Sequence, residues 1–127
     1  MQKHENDATK HKAMISQLFS AIDKMDETAF VTFLSDGVKF QFANAAPVYG
    51  SSAVGEVVKG FFSSIRGLSH SIENIVCEGP FFVTQGRVTY TRHDSTQLTV
   101  PFANIFKIEG DQIDDYCIYV DVSGLYT

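Results

Sequence analysis

The sequence has no tryptophan, only two cysteines, no run of basic residues and no apolar run long enough to cross a bilayer. Each absence narrows the function. A net charge of −5 and a pI near 5.2, with no Lys/Arg cluster, argue against nucleic acid or an anionic membrane as the main partner. Met1 is followed by the polar stretch Gln2 to Lys12, which fits neither a signal peptide nor a membrane span, so a cytoplasmic protein is expected. Cys77 and Cys117 lie far apart, without C-x-x-C or Cys/His ligand spacing, and buried reduced thiols are expected rather than a disulfide or zinc site. His4, His11, His70 and His93 are scattered. Four such histidines predict no metal site, and no cofactor is expected.

What is present is apolar and ring-rich. Hydrophobic residues make up 44% of the 127 positions, including eleven Phe and five Tyr. That is enough for one domain, residues 1–127, to bury its own core, with 1–9 a flexible or fraying segment. Met14, Ile15, Leu18, Phe19, Ile22 and Met25 fall at helical spacing and predict an amphipathic first helix from Lys10. Asp26 caps a second helix with Phe30, Val31, Phe33 and Leu34 on its apolar face, and Ser35-Asp36-Gly37 breaks it. Val38 to Phe42 reads as a strand and Asn44 to Pro47 as a loop. Ser51 or Ser52 caps a third helix, in which Val54, Val57, Val58, Phe61, Phe62 and Ile65 recur at three- and four-residue steps. Gly55 and Gly60 weaken it by up to about 1 kcal/mol each, which suits a short helix or close packing on a neighbour.

Beyond Gly67 the period changes to two. Ser69 to Glu78, Phe81 to His93, Gln97 to Glu109 and Gln112 to Val122 alternate and are separated by turns at Gly79-Pro80, Asp94-Ser95-Thr96 and Gly110-Asp111. Helices first and strands afterwards predict an α+β fold: a curved antiparallel sheet, cone-shaped, with three N-terminal helices packed on its concave face. A cone has an interior, and that interior is a natural small-molecule site. The strand from Leu98 to Ile108 marks it. Leu98, Val100, Phe102, Phe106 and Ile108 form an apolar face interrupted by Asn104, whose carboxamide is costly to bury without a hydrogen-bond partner.

The order helix, helix, strand, helix, four-strand meander resembles the SnoaL-like branch of the nuclear transport factor 2-like superfamily. The resemblance is carried by Asp36-Gly37, Pro47-Val48-Tyr49-Gly50, Gly86-Arg87-Val88-Thr89 and the stretch Tyr116 to Ser123. It implies a cone with a deep pocket and a homodimer through the outer sheet face. Ketosteroid isomerase and limonene epoxide hydrolase belong to the same superfamily. By that resemblance the isomerase's base position falls at Gln41, its tyrosine at Leu18 and its aspartate at Asn104. The hydrolase's Arg-x-Asp element falls on Arg87-Val88-Thr89, and its second aspartate at Ile118. The carboxylates of both reactions are missing, so neither known chemistry is intact.

The pocket expected on these grounds is lined by Leu18, Gln41, Tyr49, Phe61, Arg87, Thr89, Phe102, Asn104, Tyr116, Ile118 and Val120. Its ligand is a small apolar or amphipathic molecule with an oxygen function. Arg87 has two readings, outward or in an ion pair, or a clamp on a ligand carboxylate or carbonyl. Tyr49 either anchors the third helix by packing or reaches the cavity mouth. His93 reads as part of a solvated turn and Asp121 as facing away, yet with Arg87 and Asn104 they complete the candidates for acid–base chemistry. The outer face is expected to carry Val88, Tyr90, Ala103, Ile105, Cys117 and Tyr119, an apolar patch that a two-fold dimer would bury. Isomerase, lyase or hydrolase activity, non-catalytic ligand binding, and protein interaction through the outer face all remain open at this point.

Overall fold

The protein's structure, a computed structural model, describes the backbone of residues 2–126 and the side chains of 7–126. The elements in chain order are α1 (Gln2–Asp23), α2 (Glu27–Val31), β1 (Leu34–Phe42), β2 (Val48–Tyr49), α3 (Ser51–Ser63), β3 (Gly67–Glu78), β4 (Phe81–Thr91), β5 (Gln97–Glu109) and β6 (Gln112–Val120). Helix α1 runs from Gln2 to Asp23. Its predicted stripe is the buried one, with Ile15, Leu18, Phe19 and Ile22 all under a tenth exposed.

Asp26 caps α2 as expected, accepting a hydrogen bond from the Ala29 N–H at 3.0 Å. The helix stops at Val31, however, and Leu34 opens β1 by pairing with Ile113. Sheet pairing overrides the helical spacing of Phe33 and Leu34. Ser35-Asp36-Gly37 is accordingly a register shift inside β1 rather than a break before it. Gly50, not Ser51 or Ser52, occupies the N-cap of α3, with a φ of 94°. A Cβ built on Gly55 would lie 3.0 Å from Val31 Cγ1, so the glycine lets α3 approach α2 closely.

Six strands form one curved sheet in the order β2-β1-β6-β5-β4-β3. The four-strand meander from β3 to β6 is antiparallel, but β1 runs parallel to β6, which makes the sheet mixed. Local periodicity carries no information about that distant pairing. The register builds rows across the concave face. Phe40, Tyr116, Phe106 and Phe82 form one row, and Phe42, Ile118, Asn104 and Thr84 the next. A third row joins Val120, Phe102, Gly86 and Ile72.

In β4 the inward residues are Phe82, Thr84, Gly86, Val88 and Tyr90, while Arg87 is exposed. Val88 and Tyr90 therefore belong to the core, at 1% and 3% exposure, and not to the outer face. The exposed apolar side chains of the convex face are Val76, Phe81, Ile105 and Tyr119. Gly86 sits beneath a register shift of β3 between Ile72 and Asn74, where a Cβ would lie 1.9 Å from the Ser71 carbonyl oxygen. After β6 the chain crosses the end of the sheet. Leu125 is buried there, and Arg92 donates from Nε to the Leu125 carbonyl and from Nη2 to the Gly124 carbonyl, both at 2.9 Å.

Candidate functional site

Between the helices and the concave face lies a cavity of about 190 Å³. Its walls come from α1 (Ile22), α2 (Phe30), α3 (Val58, Phe61, Phe62) and the rings and branched side chains of the sheet rows. Four polar side chains interrupt this lining: His70, Tyr90, Asn104 and Tyr116. Among the described residues no Asp, Glu, Lys or Arg lines it.

His70 is held from two sides. Asp23, the last residue of α1, accepts from the His70 backbone N–H at 3.0 Å and from ring Nδ1 at 2.6 Å. The carboxylate can only accept here, so Nδ1 carries the hydrogen, and in the neutral ring Nε2 is the nitrogen with a lone pair. The ring packs on Phe19 at 4.9 Å and edge-on to Phe102 at 5.1 Å. An imidazole oriented by a carboxylate in an apolar wall has the elements of a general base.

Asn104 is 2% exposed, and its Oδ1 has no hydrogen-bond partner among the described residues. Thr84, directly opposite on β4 and fully buried, likewise leaves Oγ1 unpartnered. An unpaired buried polar group costs about 1–3 kcal/mol, so this corner of the sheet is unfavourable in isolation. The two tyrosines are donors. Burial, reinforced for Tyr116 by Tyr90 and for Tyr90 by Tyr126, pushes both phenols well above their ordinary range.

A pH dependence follows from these raised values. The folded state holds the two phenolic protons more tightly than the unfolded state, so their contribution to stability is complete below about pH 10 and is lost as pH rises further. The thermal midpoint is expected to fall steeply above about pH 10, and less steeply in Tyr116→Phe, as followed by circular dichroism.

Of the residues expected in the pocket, Phe61, Phe102, Asn104, Tyr116, Ile118 and Val120 do line it. The others lie elsewhere. Leu18 is fully buried in the core without lining the cavity. Gln41 alternates with the inward Phe40 and Phe42 and donates from Nε2 to the Ala45 carbonyl at 3.2 Å. Arg87 and Thr89 share the convex side of β4, where Thr89 Oγ1 pairs with Thr99 Oγ1 at 2.9 Å. That parity removes Arg87 as a clamp inside the cone. Tyr49 is 64% exposed. His93 is exposed, with Nε2 3.0 Å from the Ser63 carbonyl, and Asp121 is exposed and accepts from the Ser123 N–H. Cys77 is exposed and Cys117 partly so, and both are unpaired thiols rather than buried ones.

Sequence reasoning missed His70, Asp23 and Tyr90. One signal for His70 was available, because it alternates in phase with Leu68 and Ile72, the apolar positions of β3. Asp23 gave none, since 47 residues separate it from its partner.

A family model described as a SnoaL-like domain matches residues 15–116. Among solved structures, the chain is similar to one described as a SnoaL-like polyketide cyclase from Jannaschia sp. CCS1, at 18% identity and a TM-score of 0.80, over 92% of this chain and 89% of that one. It is also similar to an NTF2-like protein of unknown function from Burkholderia pseudomallei K96243, at 12% identity and a TM-score of 0.81, over 90% and 92%. An LEH-like epoxide hydrolase from M. tuberculosis aligns at 14% identity with a TM-score of 0.75, over 87% and 81%. No curated protein sequence matches the chain. At these identities the solved structures establish a shared fold.

Proposed function

The chain belongs to the SnoaL-like domain family, and on that premise we propose that it binds a small, mostly apolar molecule with an oxygen function in the concave-face cavity and moves a proton on it with His70. The observation that carries this reading is the Asp23–His70 pair on an otherwise apolar cavity wall. His70 Nε2 takes a proton from a carbon beside the ligand carbonyl, and Asp23 stabilises the imidazolium that results. The oxygen that gains charge accepts hydrogen bonds from the phenols of Tyr90 and Tyr116 and from the Asn104 amide. Returning the proton to a second carbon completes an isomerisation, and giving it to a departing hydroxide completes a dehydration.

Epoxide opening by an arginine-centred mechanism is disfavoured, because Arg87 is exposed on the convex side. The exposed Val76, Phe81, Ile105 and Tyr119 on that side favour a homodimer that covers them. Two unpaired thiols suit a reducing compartment such as the cytoplasm.

The test is consumption of small cyclic enones, epoxides and hydroxylated polyketide fragments by the wild type and by His70→Gln. A turned-over compound is expected to lose about 10²-fold or more in kcat with His70→Gln while binding persists. Turnover by His70→Gln at the wild-type rate sinks the acid–base role. If the wild type binds compounds and consumes none, the cavity is that of a non-catalytic binding protein.

A further inference from the structure

The cavity lining is ordered by polarity from one end to the other. Two of its residues reach solvent: Ala45, exposed in the loop between β1 and β2, and Val57, 44% exposed on α3. The cavity therefore opens between that loop and that helix. The half-buried lining residues Phe42, Phe61, Ile118 and Val120 complete the mouth, and all six are apolar. The polar lining side chains are at the other end, with Tyr90, Asn104 and Tyr116 buried and the His70 side chain only 10% exposed. A ligand that meets those groups enters with its oxygen end first and leaves its apolar end at the mouth. We propose, resting on the reading that the cavity binds a small molecule with an oxygen function, that Ala45 and Val57 are specificity-determining residues: the ligand is a ring with its oxygen at one end and an unbranched apolar chain at the opposite end, and the chain leaves between them.

The need for an exit follows from the volume. A cavity of about 150 Å³ lined by Leu, Ile and Phe holds benzene, and this one, at about 190 Å³, holds one six-membered ring with a short substituent. Anything longer extends through the mouth. There the exposed Val57 side chain gives an emerging chain an apolar surface to cover, whereas a charged tail finds no partner, since among the described residues no Asp, Glu, Lys or Arg lines the cavity.

The rim is also held in place. The Ala45 carbonyl accepts from Gln41 Nε2 at 3.2 Å, and the Ala45 N–H donates to the Phe42 carbonyl at 3.0 Å. Gln41, on the side of β1 away from the cavity, is thus a positioning residue for the rim. Across the gap, Val54 and Val58 are buried on the inner face of α3 and fix the helix that carries Val57. Alanine contributes a single methyl group to this rim, which leaves the passage open.

The experiment is calorimetric titration of the full chain with cyclohexanone, 4-pentylcyclohexanone and 2-pentylcyclohexanone, for the wild type, Val57→Gln and Ala45→Gln. The two pentyl isomers have the same atoms and differ in where the chain leaves the ring. With the oxygen at the buried end, carbon 4 faces the mouth and carbon 2 faces the wall. The 4-pentyl isomer is expected to bind the wild type at least about tenfold more tightly than the 2-pentyl isomer, the worth of about two methylene groups covered at the rim. Each glutamine variant is expected to cut that preference severalfold while leaving the affinity for cyclohexanone, which ends below the rim, unchanged. Both substitutions are at exposed positions, so the variants should keep their thermal midpoints, and melts confirm that they are folded. Equal binding of the isomers, a preference for the 2-pentyl isomer, or a 4-pentyl preference that survives both substitutions overturns the inference while leaving the cavity reading intact. Failure of all three ketones to bind the wild type overturns both.

Discussion

Gly86→Ala is expected to destabilise the protein by about 3 kcal/mol or more, placing it among the most damaging single methyl additions a core can suffer. The added Cβ would sit 1.9 Å from the Ser71 carbonyl oxygen, 3.0 Å from its carbon and 3.1 Å from the Glu73 nitrogen. All three atoms are backbone, so no rotamer change relieves the clash. Relief requires β3 to lift away from β4 at the register shift between Ile72 and Asn74, which breaks ladder hydrogen bonds and opens the wall that carries His70. Gly60→Ala is the control. Nothing lies within 4 Å of its Cβ in α3, and alanine there should add about 0.5–1 kcal/mol through helix propensity and unfolded-state entropy. Denaturant melts of the two variants should move in opposite directions.

Asp23→Ala is expected to cost about 2–3 kcal/mol of stability, because it strands two donors that a charged acceptor now satisfies. Those donors are the backbone N–H and the ring Nδ1 of His70, at 3.0 and 2.6 Å, and the Asp23 side chain is only 28% exposed. The same contact ties the end of α1 to β3, so the loss should appear as faster amide exchange at the C-terminal turn of α1. With the carboxylate gone, the ring is free to place its hydrogen on Nε2, and on any substrate found for the wild type turnover should fall about 10²-fold. Asp23→Asn keeps one acceptor oxygen. It should recover about half of the stability while remaining slow.

These expectations draw on features that differ in how readable they are in the chain. The alternation of β5 exposes Asn104 as an odd residue on an apolar face, and the helical stripe of α1 is equally plain, because each is a local period matched to one element. The facing of β4 is not. Its two sets, Phe82-Thr84-Gly86-Val88-Tyr90 and Val83-Gln85-Arg87-Thr89, each mix apolar and polar side chains. Alternation alone then leaves the strand's two faces undecided, and only pairing of Thr84 with Asn104 fixes them. That one ambiguity moved Arg87 and Thr89 into the expected pocket and Val88 and Tyr90 out of it. The parallel contact of β1 with β6 and the Asp23–His70 pair were out of reach for a related reason. Both join segments distant in sequence through the closing of the cone, and neither leaves a mark on local composition.

We propose that the working surface is the concave one, with His70 held by Asp23 in the tautomer that leaves Nε2 for a ligand. Long-range proton–nitrogen NMR of the histidine rings, recorded at about pH 8 where an ordinary imidazole is neutral, with and without phenol, tests it directly. His70 is expected to carry its hydrogen on Nδ1, and phenol is expected to shift the His70 ring and the Asn104 side-chain amide while Arg87 and Tyr119 stay still. A His70 ring protonated on Nε2, or phenol-induced shifts confined to the convex-face residues, would contradict it.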